Sequence, residues 1–381
     1  MKSQLKYLLS LLAFSGVLSC SVNNDSCDLT PKWVVLENDM SVNDFSMAIL
    51  EEYQLPAVSI GVSDNGHNTY STKGYWNSNS TQKVNDSIPM FIGSCSKTFT
   101  ALLIALLVEE GYFSFQTTLP ALLPDMYIHS DNEKITIHHL LTHTSGIEQY
   151  WTDEEVFSNS NTITTPTQSV SRVRSSFVST LLKKPPQFKI GSYNYSNAGY
   201  AVLAEIIEMS LNQPYEAVID SLLFTKYDLQ SALFGYYNLD GASTLSRHQY
   251  RSSNCIGIPI KRGEREFPAI LNSAGGISLN LRDFVKFTEI LLEVFNSDSL
   301  NSTKQLFEVH FQNQDSVGIG YGLHCIYVDE LLTYGHTGSD QTMRAAFALN
   351  PAKNKAAVFM TNIGDSISEM ALVNVINELI D

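Results

Sequence analysis

The hydrophobic pattern at both ends of the chain predicts β-strands. An apolar segment over residues 57–62 is followed by Asn65-Gly66, the residue pair that tight hairpins prefer, and by a second strand to about Gly74. Near the C-terminus the pattern predicts three more strands, over residues 331–338, 344–349 and 356–361. Sheet-forming segments therefore lie at both ends of the chain.

Helical spacing dominates the rest of the sequence. Helices are predicted over residues 42–53, 101–108, 198–209 and 281–295, and a closing helix is indicated by apolar residues three and four apart, namely Ile367, Met370, Val373, Ile376 and Ile380. We interpret this order as an α/β (α+β) fold, in which an antiparallel sheet from both chain ends is flanked by helices and a mainly helical domain is inserted. A cleft between two such layers is a usual place for a substrate.

The first twenty residues have the pattern of a secretion signal. Lys2 and Lys6 precede an apolar stretch over residues 7–18, which is too short to span a bilayer comfortably, and small residues precede Cys20. Residues 17–20 resemble a bacterial lipobox, in which the cysteine becomes the lipidated first residue of the mature protein. The alternative is an ordinary signal peptide that is cut nearby. In both cases we expect an exported protein, and the lipobox predicts an anchor on the periplasmic or surface side of the cell envelope.

These patterns divide the chain into three parts. A signal peptide at 1–19 precedes a lipid-anchored tether at 20–36, and one folded domain follows at 37–381. Within that domain, we expect a sheet subdomain at about 37–98 and 293–381, and a helical subdomain at about 99–292.

Composition excludes several classes of partner. The chain has 39 acidic and 24 basic residues, for a formal charge of −15, which argues against nucleic acid and against electrostatic docking on anionic lipid. No protein partner or cofactor is predicted. The cysteines other than Cys20 are too few and scattered for a disulfide scaffold, although one bridge is possible. His138, His139 and His143 lack the spacing of a zinc helix, so no metal site is predicted.

Ser94 and Lys97 form the first candidate catalytic pair. They lie directly before the apolar run 101–108, which lacks a polar face and should be a buried helix. Residues three apart share a helix face, so Ser94 in the first turn and Lys97 should point the same way, unlike Cys95 and Ser96. A serine hydroxyl needs a neighbouring base, and an ammonium in a partly dry site loses its proton more readily. The alternative is a surface serine that caps a helix and happens to precede a lysine.

Tyr195 and Asn197 form a second element. A tyrosine beside a cation can shuttle a proton, and an asparagine can both donate to a substrate carbonyl and accept from an amide. The alternative is that Ser196 or Asn197 caps the helix that begins there, while Tyr195 belongs to the core.

The third element is His336-Thr337-Gly338, at the end of a predicted strand. A cationic or hydrogen-bonding side chain, a hydroxyl and a glycine can grip a substrate carboxylate while the backbone lies close. An imidazole with an ordinary pKa of about 6.5 is partly protonated at neutral pH, so we expect carboxylate substrates to lose activity as pH rises through the pKa of His336. The alternative is a strand end that turns at Gly338.

In this order and context, the three elements resemble the serine β-lactamase and penicillin-recognising superfamily. The similar branch holds class C β-lactamases, serine D-alanyl-D-alanine carboxypeptidases, D-aminopeptidases and related esterases. Related enzymes carry S-x-x-K, S-D-N and K-T-G, whereas the second and third motifs here are Tyr-Ser-Asn and His-Thr-Gly. The resemblance covers about residues 55–362, and its further segments are 137–146, 273–277, 283–284, 321–323 and 335–362.

The resemblance implies a catalytic role for three residues. Ser94 would be the acylated nucleophile, and Lys97 and Tyr195 would share proton transfer. Which of these two is the base stays open, because strongly coupled groups titrate as a pair.

The resemblance also implies the substrate contacts. Asn197 would bind the substrate amide, and His336 with Thr337 its carboxylate. The oxyanion hole would combine the backbone N–H of the nucleophile with that of Ser339, the residue after Gly338.

The expected function is therefore a serine acyl-enzyme hydrolase. His336 in place of lysine favours a peptidase of the D-Ala-D-Ala carboxypeptidase or D-aminopeptidase type, or a related amidase or esterase. A class C-like β-lactamase or a carboxylesterase is the first alternative, and a sensor that is covalently labelled by a β-lactam is the non-enzymatic one. A small peptide, ester or β-lactam would be the substrate, and the membrane would be reached only through the lipid anchor.

The lipid anchor gives a first testable prediction. Expressed in a bacterium, the protein should fractionate with membranes, and Cys20→Ala should release it or leave an unprocessed precursor, because the acyl chains are attached at that cysteine. Membrane fractionation and mass analysis of the mature N-terminus measure this. A soluble protein whose mature N-terminus lies away from Cys20 would contradict it.

Overall fold

We analysed a computed structural model of the chain. The structure describes residues 29–149, 169–236, 238–239, 243–260, 266–297, 301–312, 317–328 and 331–380. The predicted signal peptide, the lipidation site Cys20 and the first part of the predicted tether lie outside these residues.

A mixed fold with one large antiparallel sheet confirms the predicted fold class. The sheet has eight strands in the order β10-β11-β12-β13-β14-β15-β1-β2. Their bounds are β1 Ala57–Asp64, β2 His67–Gly74, β10 Phe311–Gln312, β11 Gly318–Ile319, β12 His324–Val328, β13 Leu331–Ser339, β14 Arg344–Asn350 and β15 Lys355–Thr361. Strands from both chain ends meet where β1 pairs with β15, from Val58↔Thr361 to Asp64↔Lys355.

The hairpin between β1 and β2 forms where the sequence predicts it. Asn65 and Gly66 both have positive φ, which is the backbone conformation that this tight turn requires. β1 is buried along nearly its whole length because helices cover both faces of the sheet. A Cβ on Gly61 would come within 2.4 Å of a Val285 methyl, so the glycine lets a helix lie directly on β1.

Eleven helices are found within the described residues. They are α1 Val42–Glu52, α2 Ser96–Glu109, α3 Leu119–Leu122, α4 Ile137–Leu141, α5 Val170–Leu182, α6 Asn197–Leu211, α7 Tyr215–Ile219, α8 Asn272–Gly275, α9 Leu281–Asn296, α10 Asn301–Lys304 and α11 Ser366–Ile380. Every predicted helix is confirmed. Met370, predicted on the apolar face of the closing helix, is instead exposed, because Ala371 and Leu372 take the core positions. None of these helices is long and apolar enough to cross a membrane.

Two hydrophobic layers flank the sheet. α1 and α11 pack on one face, with Phe45 and Ile49 among the buried residues of that layer. α9 packs on the other face, although the sequence division assigned most of it to the helical subdomain. α2 and α6 form the centre of the helical layer and are buried around almost their whole circumference.

The packed structure begins before residue 37. Val34 hydrogen-bonds through its backbone N–H and carbonyl to the Asn374 amide, and the Glu378 carboxylate accepts from the Leu36 N–H. The Trp33 indole also donates to Glu378. These residues, predicted as part of the tether, are therefore held against α11.

A second, small sheet lies beside the nucleophile segment. It has the order β3-β9-β4, with bounds β3 Met90–Phe91, β4 Leu233–Phe234 and β9 Ile277–Leu279. The backbone N–H of Ile92, directly after β3, donates to the Ile277 carbonyl at 3.0 Å. This contact fixes the chain immediately before the Ser94 turn.

Two further hairpins complete the described strands. β5 Asn238–Leu239 pairs with β6 Ser243–Thr244, and β7 His248–Arg251 pairs with β8 Gly257–Pro259.

Candidate active site

Ser94 lies in a short 3-10 turn, Gly93–Cys95, that leads into α2. The nucleophile therefore precedes the helix, whereas the sequence placed it in the first helical turn. Gly93 has φ +51°, and a Cβ on it would come within 2.6 Å of the Ser339 backbone nitrogen. Only a glycine fits this turn without strain. The Ser94 side chain is half-buried, as a nucleophile that must meet a substrate requires.

Lys97 is paired with Ser94 as the spacing predicts. Its Nζ lies 3.0 Å from Ser94 Oγ and donates to the Ala274 carbonyl at 2.6 Å. The side chain is fully buried. Burial lowers the pKa of Lys97 well below its ordinary value of 10.5, because the charged ammonium loses its hydration. The amine is therefore disposed to accept the proton of Ser94.

Tyr195 is the third member of this group. Its phenol and Ser94 are hydrogen-bonded, and Lys97 Nζ lies 4.8 Å from the centre of its ring. Burial raises the pKa of Tyr195 well above 10, against a smaller opposing effect of the Ser94 hydrogen bond. Tyr195 is thus a protonated phenol that touches the nucleophile.

Ser196 and Asn197 have different surroundings from each other. Ser196 Oγ accepts from the Gly199 N–H at 3.0 Å and donates to the Glu148 carbonyl at 2.8 Å, so this serine caps α6. The structural alternative considered from the sequence therefore holds for Ser196. Asn197 is buried at the first position of α6, where its backbone N–H donates to the Gln149 carbonyl at 3.3 Å. Contact between its side chain and a substrate amide stays a prediction.

The end of β13 lies against the Ser94 turn. A Cβ on Gly338 would come within 2.0 Å of the Ile92 carbonyl oxygen and 2.6 Å of the Ser94 nitrogen. With the equally close approach of Gly93 to the Ser339 nitrogen, this brings the N–H groups of Ser94 and Ser339 side by side. Two neighbouring backbone donors at the nucleophile have the arrangement of an oxyanion hole.

One edge of β13 is open beside this hole. Pairing with β12 ends at His324↔Gly335, whereas pairing with β14 continues to Ser339↔Arg344. Within the described residues, the stretch from His336 to Ser339 therefore has no strand on its β12 side. An open strand edge of this kind can pair with an extended peptide.

His336 is close to the site but does not have the expected charge. It is 3% exposed, its Nδ1 lies 2.6 Å from the Thr337 carbonyl oxygen, and its ring centre lies 4.7 Å from that of His324. Burial first, then His324 and Lys97, lower the pKa of His336 well below 6.5, and the Thr337 carbonyl only partly opposes this. The expectation of a partly protonated imidazole at neutral pH is therefore wrong for the substrate-free protein.

Thr337 faces away from His336. It pairs with Ala346, which belongs to the hydrophobic layer under α11, and residues paired across strands share a face of the sheet. The structure therefore brings His336, Gly338 and Ser339 to Ser94, whereas the Thr337 side chain lies on the α11 side. Its role as a carboxylate contact stays a prediction.

Comparison with known proteins agrees with this geometry. A family model described as Beta-lactamase matches residues 42–378. The chain belongs to the beta-lactamase family.

Individual relatives are distant. A beta-lactamase from Providencia stuartii is 22% identical over 253 residues, which are 66% of this chain and 59% of that protein. A class C beta-lactamase structure from Rhodobacter sphaeroides has a TM-score of 0.69 at 19% identity and covers 88% of this chain and 96% of that one. A beta-lactamase/D-alanine carboxypeptidase structure from Pseudomonas syringae has a TM-score of 0.68 at 18% identity, with 86% and 94% covered. The chain spans about three fifths of the length of the first curated relatives.

Three contributors to this beta-lactamase-family site escaped the sequence reasoning. The Ala274 carbonyl is a backbone group, so the residue type does not reveal it, although residues 273–277 belong to the resemblance described above. His143 has no predicted role beyond its rejection as a metal ligand, but its ring lies 4.3 Å from that of Tyr195. No motif or spacing in the sequence marks His324, because only the pairing of β12 with β13 brings it beside His336.

Other expectations from the sequence concern cysteines and metals. Cys95, Cys255 and Cys325 are free thiols, so the possible disulfide does not form among these three. His138 lies 3.0 Å through Nδ1 from the Tyr321 hydroxyl, and His139 belongs to the capping box at the start of α4. In the part of the chain that the structure describes, no group of three or more His, Cys, Asp or Glu side chains is arranged to hold a metal ion.

Ser96 provides a matched control for the nucleophile. We expect a fluorescent penicillin or fluorophosphonate to label the protein on Ser94 and Ser94→Ala to abolish labelling, since Ser94 Oγ lies 3.0 Å from Lys97 Nζ. Ser96→Ala should lower the melting temperature and keep labelling, because Ser96 Oγ donates to the Gly93 carbonyl and accepts from the Ile277 N–H. Peptide mapping of the label measures this, and a label on Ser96 or Cys95 would overturn the assignment.

The lowered pKa of Lys97 predicts a pH profile. An amine is a base only when unprotonated, so the acylation rate should rise with pH through the pKa of Lys97 and level off well below 10.5. Lys97→Met keeps the length of the side chain without a basic nitrogen and should slow acylation by about 10² to 10⁴. Stopped-flow acylation from acidic to alkaline pH tests both points. An unchanged rate in a folded Lys97→Met protein would exclude Lys97 as the base.

Proposed function

We propose that this protein is a serine acyl-enzyme hydrolase that acts on a D-amino-acid peptide or a related amide or ester. The observation that carries the proposal is the contact of 3.0 Å between Ser94 Oγ and the buried amine of Lys97, beside the neighbouring backbone nitrogens of Ser94 and Ser339. Nucleophile, base and oxyanion donors are the minimum set for acyl transfer.

Acylation would begin with proton transfer from Ser94 Oγ to the neutral amine of Lys97. The alkoxide attacks the scissile carbonyl carbon, and the N–H groups of Ser94 and Ser339 donate to the oxyanion that forms. When the bond to the leaving group breaks, the leaving nitrogen or oxygen takes a proton from Tyr195, which is protonated and in contact with Ser94. Lys97 then returns its proton to the phenolate, so that the acyl-enzyme retains the starting charges.

The sequence left open whether Lys97 or Tyr195 is the base, and this mechanism assigns the role to Lys97. The opposite pKa shifts of the two groups support Lys97 as the acceptor and Tyr195 as the donor during acylation. In deacylation, a water molecule replaces the leaving group, and the same pair moves its proton in the reverse direction.

The open edge of β13 supports an extended substrate. A peptide backbone that pairs with residues 336–339 would lie beside Ser94 with its scissile carbonyl near the two N–H donors. The D-amino-acid class is supported by the His-Thr-Gly motif and by the likeness to the Pseudomonas syringae beta-lactamase/D-alanine carboxypeptidase. The likeness to a class C beta-lactamase keeps β-lactam hydrolysis as the second candidate.

Export and lipid anchoring belong to the same proposal. Lys2, Lys6 and the apolar stretch 7–18 before Cys20 support a lipoprotein of the cell envelope. A peptide or β-lactam substrate outside the cytoplasm would reach such an enzyme directly.

A substrate panel tests the proposal. The mature protein is incubated with a D-Ala-D-Ala peptide, the same peptide with its terminal carboxylate amidated, a short-chain ester and a chromogenic cephalosporin. We expect turnover of at least one D-amino-acid peptide or ester, abolished by Ser94→Ala. Because His336 is neutral, the acid and amide peptides should keep a constant ratio of kcat/KM between about pH 6.5 and 8.

Other results of this substrate panel would favour a different function or a different state of His336. Rapid cephalosporin turnover without peptide turnover favours the β-lactamase candidate, and stable labelling without turnover of any substrate favours the covalent sensor. A ratio that falls through about pH 6.5 would mean that His336 is partly protonated, against the burial in the structure.

A further inference from the structure

His143 holds the chain on both sides of Tyr195. Its carbonyl oxygen accepts from the Asn194 N–H at 2.7 Å, and its Nδ1 accepts from the Ser196 N–H at 3.1 Å. One residue thus accepts hydrogen bonds from the backbone N–H groups of the residues before and after Tyr195. Both acceptors are buried, where a hydrogen bond is costly to lose.

The same residue covers the Tyr195 ring. The imidazole centre lies 4.3 Å from the phenol ring centre, with 30° between the planes. Lys97 Nζ lies 4.8 Å from the ring centre of Tyr195 and 5.4 Å from that of Tyr200, and the His143 ring also lies 5.3 Å from Tyr200. The phenol is therefore held by packed rings as well as through its backbone.

The backbone of His143 is in an unusual conformation. Its φ is +58°, in the left-handed region that non-glycine residues rarely adopt. Such a conformation is strained and persists where the surroundings determine it, often at functional sites. Here the conformation presents the carbonyl and Nδ1 of the same residue to one segment, which is the geometry that the two hydrogen bonds require.

The contacts also define the protonation state of His143. Nδ1 accepts an N–H, so it carries no proton, and the neutral ring is protonated on Nε2. The groups that face the ring are Lys97 from α2, His324 from β12 and the tyrosines 193, 195 and 200 from the segment that ends in α6. Burial, with smaller contributions from Lys97 and His324, lowers the pKa of His143 well below 6.5.

We propose that His143 is a positioning residue for Tyr195, which it holds against Ser94 through two hydrogen bonds and the packing of its ring. The inference deepens the proposed function and rests on it, because the phenol is the group that supplies the proton to the leaving atom. Among the described residues His143 makes no hydrogen bond to Ser94, so we assign its effect on the reaction to the phenol.

A double-mutant cycle tests this. His143→Phe keeps a ring and removes the Nδ1 acceptor, whereas His143→Asn keeps a residue that tolerates positive φ and removes the ring. Each is made alone and with Tyr195→Phe, and the Ser94 acylation rate is measured with an activated ester. We expect each single variant to lower the rate by about 10- to 100-fold, since small displacements of a catalytic group cost that much. In the Tyr195→Phe background the same changes should alter the rate by less than about 2-fold.

A stability control separates positioning from unfolding. Tyr53→Phe removes the hydrogen bond of 2.9 Å to Asn374 Oδ1, between α1 and α11, and should lower the melting temperature with no change in acylation. Equal rate losses from His143 variants in both Tyr195 backgrounds would overturn the inference, because His143 would then act through another group.

A second readout does not depend on activity. In a protein with ¹³C-labelled tyrosine, flipping of the Tyr195 ring should be faster in His143→Asn than in the unsubstituted protein. Failure of Ser94 to acylate with any probe would defeat the proposed function and leave this measurement valid. Unchanged ring flipping in His143→Asn would overturn the positioning role in either case.

Discussion

The site depends on the removal of one amine from water. Lys97 is fully buried, and a charged ammonium in such surroundings loses hydration worth several kcal/mol. The protein meets this cost with two oxygen partners, the Ala274 carbonyl and Ser94 Oγ, and with a pKa that burial lowers well below its ordinary value of 10.5. The burial that costs the ammonium its hydration is therefore also what lowers its pKa, which is the property that a base in the proposed mechanism needs.

The Ala274 carbonyl, which accepts from Lys97, belongs to a short helix that a buried ion-pair cluster holds in place. Arg174 is paired at 2.5 Å with both Glu208 and Glu216, and Glu216 also accepts from the side-chain amide of Asn272, the first residue of α8. Thr100 from α2 donates to the carbonyl of residue 273 at 2.7 Å. The charges of this cluster thus fix α8, whose Ala274 carbonyl accepts the hydrogen bond from Lys97. They stay paired because an unpaired buried charge is strongly unfavourable.

Local pattern and spacing predicted the parts of the fold and site that depend on neighbours in sequence. The hairpin at Asn65-Gly66 and the shared face of Ser94 and Lys97 need only turn chemistry and helical period. The features that could not be predicted, such as the surroundings of His336, depend on contacts that only the folded chain makes. His324 meets His336 through strand pairing, and Lys97 and His143, which also lower the pKa of His336, come from segments more than a hundred residues away. A residue type alone does not carry its pKa, since environment shifts it by several units.

The crowding of basic groups limits the charge that the cleft can hold. Two imidazolium rings 4.7 Å apart, as His324 and His336 are, repel by about 3.5 kcal/mol at an effective dielectric of about 20, before desolvation is counted. Burial and Lys97 lower the pKa of His324 to about 4, so the unprotonated state of the pair dominates at neutral pH. The cleft therefore has little fixed positive charge to offer an anion in the ground state. In the proposed mechanism the backbone N–H groups of Ser94 and Ser339 act without any change in their protonation, on an atom that becomes negative only during the reaction. Stabilisation would then be concentrated on the transition state rather than on the bound substrate.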